Sequence, residues 1–355
     1  MESRERVIAA AQRRRPDRPA TSLRLTPEAD EALRAHLGVS STQAVLDELD
    51  IDLRMVPLPF IGPEEKSTPN IGGEGIDFWG VGYRRIDTPT NTYYEFDHHP
   101  LADARTVADV EHFDWPSLDW WDYDAVPGLI DQLHATGHRA IMFFVGGAFE
   151  TPWYLRGLEQ FLVDLHEQPE IVEAICRHVE RYYRERGLRV LEKVGDRIDV
   201  IGTGGDIGEQ HRMLIDPDIW RRQIKPFSGN LIGTFKRMGY YTFYHSDGAI
   251  VPVIDDLIEV GLDILDPVQV SADGMEAASL YARFGDRLAF HGAIDEVHVL
   301  PRLSADAVAT ETARMIDLLG ARGGYIVSAT HAVQGDTSPE NVVAMINAAR
   351  AYRWA

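Results

Sequence analysis

Cysteine is almost absent: Cys176 is the only one in 355 residues. A single thiol excludes an internal disulfide and any zinc or iron–sulfur centre built from clustered cysteines, so a metal held by this chain must take nitrogen and oxygen ligands. Cys176 itself falls on the apolar stripe of a helical pattern and reads as a core thiol. Long hydrophobic runs are missing too. No stretch approaches the roughly 18 apolar residues of a membrane span, and the opening "MESRERVIAAAQRRRPDRP" lacks the apolar core of a signal peptide. The reading is a cytoplasmic protein. Positive charge is scarce: 35 Lys and Arg against 56 Asp and Glu leave a formal charge of −21. That deficit argues against nucleic acid and against anionic lipid, and leaves a small molecule as the partner. No GxGxxG or GxxxxGK[ST] follows an apolar strand, so the usual glycine-rich phosphate cradles are absent.

What is present is the composition of a folded globule, with 45% hydrophobic and 26% charged residues. From about residue 138, apolar runs of strand length alternate with longer amphipathic stretches. The runs are "RAIMFFVGG", "IDVIGTGGD", "YYTFYHSDG", "LDILDPVQ", "RLAFHGAID" and "GGYIVSATH"; helical patterns such as "GLEQFLVDLHEQPEIVEAICRHVERYYRERG" and "SADAVATETARMIDLLGARG" lie between them. Such alternation means parallel strands joined by crossover helices, and the number of units favours a (β/α)8 TIM barrel, an α/β fold, over an open doubly wound sheet. Residues 136–355 are expected to form the main part of the barrel. Residues 1–135 differ: two helical segments, then Gly-, Pro- and aromatic-rich text in which "FWGVGYRRIDTPTNTYYEFDHHP" reads as a β-hairpin. This part is expected to cap the barrel within one structural domain, and "DWPSLDWWDYD" to be a packed linker.

The apolar strands end in polar groups: Glu150, Asp206, the pair His245 and Asp247, Asp266 and Gln269, His291 and Asp295, and His331. In a (β/α)8 barrel the C-terminal strand ends share one face, where active sites form. Asp266, Gln269 and Asp295 read equally as caps of the following helices. His291 reads equally as a neutral core histidine, and His211 and His298 as surface groups. Residues two apart on a strand point the same way, so His245 and Asp247 place an imidazole beside a carboxylate. That pair suits a metal, an oriented general base, or simple mutual pairing.

The segments "GGDIGEQHRMLIDPDIWRRQIKPFSGNLIGTFKRMGYYTFYHSDGAIVPVIDDLIEVGLDILDPVQVSADGM", "FGDRLAFHGAIDEVHVLP" and "GGYIVSATHAVQGDTSPENVVAMINAAR" resemble the uroporphyrinogen decarboxylase superfamily. It comprises (β/α)8 barrels that are haem-pathway decarboxylases or zinc-dependent methyltransferases working with corrinoid proteins and thiols. The likeness covers residues 138–352 well, and "RERVIAAAQRRRPDRPA" resembles the usual start. The decarboxylases carry an "RQAGR"-like segment; here "RPATSLRLTPEAD" offers Arg24 without the motif. The methyltransferase branch binds zinc through His-x-Cys after a middle strand and a later Cys before "TPxEN". Aligned with it, those ligands fall on His245, Asp247 and His331, with both thiolates replaced by other competent donors.

The resemblance therefore implies a site for a divalent metal, zinc or iron, on His245, Asp247 and His331. Glu150 and Asp206 are candidates for a fourth ligand or for orienting an imidazole. The leading expectation is a metal-dependent methyltransferase or demethylase acting on a small substrate, with a corrinoid or tetrahydrofolate carrier. Tyr154, Glu150 and His331 are its candidate catalytic groups. Asp206, Gln269, His291 and Arg84 are candidates for holding the substrate. A corrinoid protein is an expected partner and a homodimer an expected assembly. Two alternatives stand beside it: a decarboxylase or other lyase with Arg24, Arg84 or Arg85 holding a carboxylate, and a barrel that binds a corrinoid or tetrapyrrole without turning it over. A metal-free His–Asp–His network is the corresponding alternative for the site.

Overall fold

The computed structural model describes residues 1–68, 72–87 and 92–354. Eight strands form one sheet: β1 (Ala20–Thr21), β2 (Leu53–Met55), β3 (Ala140–Gly146), β4 (Val200–Gly204), β5 (Tyr241–His245), β6 (Ile264–Val268), β7 (Ala289–Ile294) and β8 (Tyr325–Ala329). All neighbouring pairs are parallel, in the order β1–β8–β7–β6–β5–β4–β3–β2. The ends of this order meet. Asp52 N–H donates to the Thr21 carbonyl at 3.2 Å, and Thr21 N–H to the Asp52 carboxylate at 3.0 Å. The sheet thus curls into the expected (β/α)8 barrel. Strands β4, β6, β7 and β8 are buried at every position, because helices cover one face and the barrel interior the other. Buried parallel strands therefore read as unbroken apolar runs rather than alternating ones.

One helical pattern divides. The stretch from Gly157 to Gly187 forms two helices, Leu158–Glu167 and Pro169–Val194. Pro169 disfavours the helical conformation for Gln168, which sits at φ −141° and ψ 56° and ends the first helix. The second begins with proline at its first position, where the missing N–H costs nothing. Cys176 is buried on it, as a core thiol should be.

The N-terminal region supplies antiparallel strands at Gly75–Ile76, Gly82–Asp87 and Thr92–His98, pairing Tyr83 with Phe96 and Arg84 with Glu95. The turn of the expected hairpin, 88–91, lies outside the described residues. Aromatic side chains fasten this region to the 169–194 helix. Trp79 Nε1–H donates to Tyr183 Oη at 3.2 Å and Trp121 Nε1–H to Tyr182 Oη at 2.7 Å. The Arg186 guanidinium sits 4.7 Å from the Trp121 ring and 4.9 Å from Tyr183, and donates to the Val145 carbonyl at the end of β3. A desolvated cation against aromatic faces suits this seam.

A buried ion pair completes the attachment. Arg156 and Asp164, both fully buried, pair at 2.7 Å, while Arg156 Nη1 donates to the carbonyls of Leu101, Ala102 and Ala104. Asp164→Ala strands that guanidinium in a dry environment and is expected to cost about 3–5 kcal/mol. Urea unfolding measures this; a loss below about 1 kcal/mol would show that the pair behaves as a solvated one.

Candidate metal centre

Strand β5 delivers His245 to the C-terminal end of the barrel, in register with Asp266 on β6. Asp266 is fully buried and gathers three partners. His245 Nδ1–H donates to Oδ2 at 2.6 Å, His291 Nδ1–H to Oδ1 at 2.5 Å, and Arg24 Nη2 to Oδ2 at 3.3 Å. With its Nδ1 so occupied, His245 turns Nε2 outward, 3.8 Å from Asp247 Oδ2 and 3.7 Å from Asp206 Oδ1. His331, just beyond β8, brings its Nε2 to 4.0 Å from the same Asp247 oxygen. One ligand atom each from His245, Asp247 and His331 lies within 4.8 Å of the others.

The loop after β5 holds Asp247 in place. Its N–H donates to Asp206 Oδ1 at 3.0 Å, Gly248 N–H donates to Gln269 Oε1 at 2.7 Å, and Ser246 N–H to the Asp266 carbonyl at 2.7 Å. On the other side, the glycines ending β3 let the chain turn tightly into the helix Glu150–Arg156. Gly146 has φ +117°, and a Cβ there would meet the Tyr183 ring at 2.3 Å; a Cβ on Gly147 would meet the Gly204 carbonyl at 2.0 Å. This turn sets Glu150 against Asp206. Tyr154, one helical turn on, donates its hydroxyl to Glu150 Oε1 at 2.9 Å.

The charges fit a cation. Burial, reinforced by the Asp206 carboxylate, pushes Glu150 up to about 7. Burial also pushes Asp247 up to about 7, with Asp206 and Asp266 adding repulsion against the pull of His245. Burial opposes charge on His245, yet the bond to Asp266 prevails and raises it to about 9, so on this residue a metal ion must displace a proton from Nε2. His331 is held below its ordinary value by burial, then by Arg24 and His245, which keeps a lone pair free. Tyr154 is raised by burial and by Glu150, so its proton stays on the hydroxyl.

Glu150 also makes a stability prediction. Its folded value lies above the ordinary 4.5, so the folded state holds the proton more tightly than the unfolded chain. The associated stability is present below 4.5 and is lost as pH rises through about 7. Glu150→Gln keeps a neutral side chain and escapes that loss. Its melting temperature, relative to wild type, is expected to climb between pH 4.5 and 7.5; a pH-independent difference would contradict the raised value.

Not every residue singled out from the sequence joins this cluster. Arg84 donates to Glu95 across the hairpin at 2.7 Å and Arg85 to Asp87 at 2.8 Å, both on exposed surface. Neither bonds to a barrel-end group among the described residues. His291 is not a lining group: its side chain is 2% exposed and lies behind Asp266, because β7 points it into the barrel beside the Phe243 ring. Gln269 serves the loop backbone. Asp295 accepts from the N–H groups of Val297 and His298, both at 2.7 Å, and is a turn cap. His99 ties the hairpin to the site helix through Nδ1 and the Tyr154 carbonyl, 2.6 Å apart. The hub, Asp266, was equivocal in sequence. The signal was the alignment of strand ends, which puts the last residue of β5 beside the Asp of β6.

A family model described as uroporphyrinogen decarboxylase (URO-D) matches residues 84–352. The chain belongs to the uroporphyrinogen decarboxylase family. Among solved structures, a methyltransferase from Methanosarcina mazei is similar at 15% identity and TM-score 0.69, over 99% of this chain and 98% of that one. That likeness extends the shared fold over essentially the whole of both chains. A GH18 chitinase from Flavobacterium johnsoniae, at 10% identity and TM-score 0.35 over 66% of this chain and 80% of that one, is too distant to bear on the site. A search of curated proteins finds no match. No helix among the described residues is long and apolar enough to cross a membrane.

Proposed function

We propose that this URO-D family protein is a metal-dependent methyltransferase-like enzyme. His245, Asp247 and His331 hold one divalent ion, and a methyl group moves between a small oxygen- or nitrogen-bearing substrate and a corrinoid or folate carrier. The observation that carries the reading is the meeting of those three donors at the barrel mouth. Two imidazoles and a carboxylate suit zinc or ferrous iron. Ligand atoms about 2.1 Å from a tetrahedral ion lie about 3.4 Å apart. The 3.8 and 4.0 Å separations therefore close with small side-chain rotations. Glu150, Asp206 and Asp247 repel one another in a partly dry setting, and a dication relieves that repulsion.

When bound, the ion supplies Lewis acidity to a substrate oxygen or nitrogen. The chain's own residues supply the rest. Asp266 holds His245 with Nε2 directed at the ion site. Glu150, raised to about 7, hands a proton to a departing heteroatom, or takes one from a substrate hydroxyl as it is methylated; Tyr154 holds the Glu150 carboxyl group through Oε1. With a corrinoid carrier, a corrinoid protein is the partner; the fold shared with a methyltransferase supports the methyltransferase-like kind. The decarboxylase reading is less well supported, because Arg24, Arg84 and Arg85 are each already paired with a carboxylate.

The test is methyl transfer from methylcobalamin or methyltetrahydrofolate, followed spectroscopically with zinc- or iron-loaded protein and a panel of small alcohols, amines and phenols. The expected result is turnover that needs the metal and falls at least about 100-fold in His245→Ala. Undiminished turnover by metal-free protein would overturn the reading. Saturable corrinoid binding with no turnover would favour the non-catalytic barrel.

A further inference from the structure

The opposite end of the barrel carries basic charge that runs against the rest of the chain. The first 18 residues hold six arginines and three acidic residues, and the last six, "RAYRWA", hold two arginines and no acid, in a chain of net −21. The fold brings these ends together. Trp354 Nε1–H donates to the Pro16 carbonyl at 2.7 Å, and the Arg15 guanidinium lies 5.5 Å from the Trp354 ring. Beside this junction is a groove of about 500 Å³ lined by Arg6, Arg18, Arg350, Arg353, Asp17 and Asp50.

The carboxylates of this groove are committed. Asp17 takes Arg6 at 2.7 and 3.1 Å, Asp50 takes Arg18 at 3.0 Å and Arg139 at 2.5 Å, and buried Asp52 takes Arg6 at 3.2 Å and Arg18 at 2.6 Å. Asp17 also takes the N-terminal ammonium at 2.9 Å, so these three carboxylates are satisfied without a direct bond from Arg350 or Arg353. The Arg350 side chain makes no hydrogen bond or ion pair among the described residues and acts on Asp50 only through space. Arg353 uses only Nη1, on the carbonyls of Arg350 and Tyr352. Those carbonyls end the helix Pro339–Ala351, so Arg353 caps the groups that otherwise repel an anion there. The Arg350 fork and the remaining donors of Arg353, three residues apart beside the carboxylate-paired Arg6 and Arg18, match a tetrahedral dianion.

We propose that this groove is a binding site for a small phosphate-class anion, distinct from the metal centre at the other end of the barrel. Among the residues lining the groove, four arginines face two carboxylates, and that surplus of two positive charges matches a phosphate dianion. The volume admits a phosphate with a small organic group, so the free ion and a phosphate monoester share the required chemistry.

Isothermal titration of the metal-free full-length protein with inorganic phosphate, and separately with glycerol 3-phosphate, tests this at constant ionic strength in chloride. The wild type is expected to show saturable binding, weakened at least about tenfold in Arg350→Ala/Arg353→Ala and unchanged in His245→Ala. Circular dichroism checks that the double variant is folded, and Arg350→Lys/Arg353→Lys is expected to lie between, since lysine keeps charge but loses the fork. Tighter binding of either ligand identifies the source and supports the site. Equal binding by wild type and double variant, no saturable binding to the wild type, or loss of binding in His245→Ala would overturn it.

Discussion

Asp247→Ala is expected to lower the affinity of the protein for Zn²⁺ by at least about 100-fold, measured by competition with a chromogenic chelator. Asp247 faces both histidines, at 3.8 and 4.0 Å, and is the one anionic ligand of the proposed set. Without it two neutral imidazoles must hold a dication alone. The companion Asp247→Cys returns a thiolate to the His-x-Cys spacing of the methyltransferase branch. It is expected to retain binding and shift preference toward softer Cd²⁺, visible as a thiolate charge-transfer band near the ultraviolet edge. Unchanged zinc affinity in Asp247→Ala would remove this carboxylate from the site.

Asp266→Asn is expected to have the next largest effect, although Asp266 touches no metal in this account. The carboxylate accepts from Nδ1 of His245 and of His291 and from Arg24. An asparagine offers one acceptor oxygen and an NH2 group in its place. One imidazole then faces a donor and must shift its proton to Nε2, and on His245 that is the atom the metal needs. Zinc affinity is expected to fall about 10–100-fold. Imidazole nitrogen NMR separates this from general damage: wild-type His245 carries its proton on Nδ1 when metal is bound. An unchanged tautomer and affinity in Asp266→Asn would assign Asp266 a structural role only. The same fully buried carboxylate also pairs with the partly exposed Arg24, so the variant is also expected to melt earlier.

The barrel and the pairing of His245 with Asp247 were legible in the sequence from strand patterning, whereas His331 joined them only through the resemblance to the methyltransferase branch. Strands buried on both faces read as apolar runs, and a parallel barrel puts all their C-terminal ends on one face. What stayed hidden depended on register and direction. Asp266 read equally as a site group and as a helix cap, because only the β5–β6 ladder shows it level with His245. His291 looked like a pocket residue, but its strand turns it beneath Asp266. Arg84 drew notice as a cation near a cap, whereas the hairpin register spends it on Glu95. The helical text after Gly157 broke at Gln168 because Pro169 constrains its neighbour, a rule the long amphipathic pattern masked.

The proposed chemistry needs a metal at the barrel mouth, and metal analysis joined to X-ray absorption on the purified protein tests for it most directly. The prediction is one zinc or iron per chain, with a shell of nitrogen and oxygen that includes two imidazoles and no sulfur, lost in His245→Ala. A protein that takes up no stoichiometric metal when zinc or ferrous iron is supplied, or one whose metal has a sulfur ligand, would contradict it.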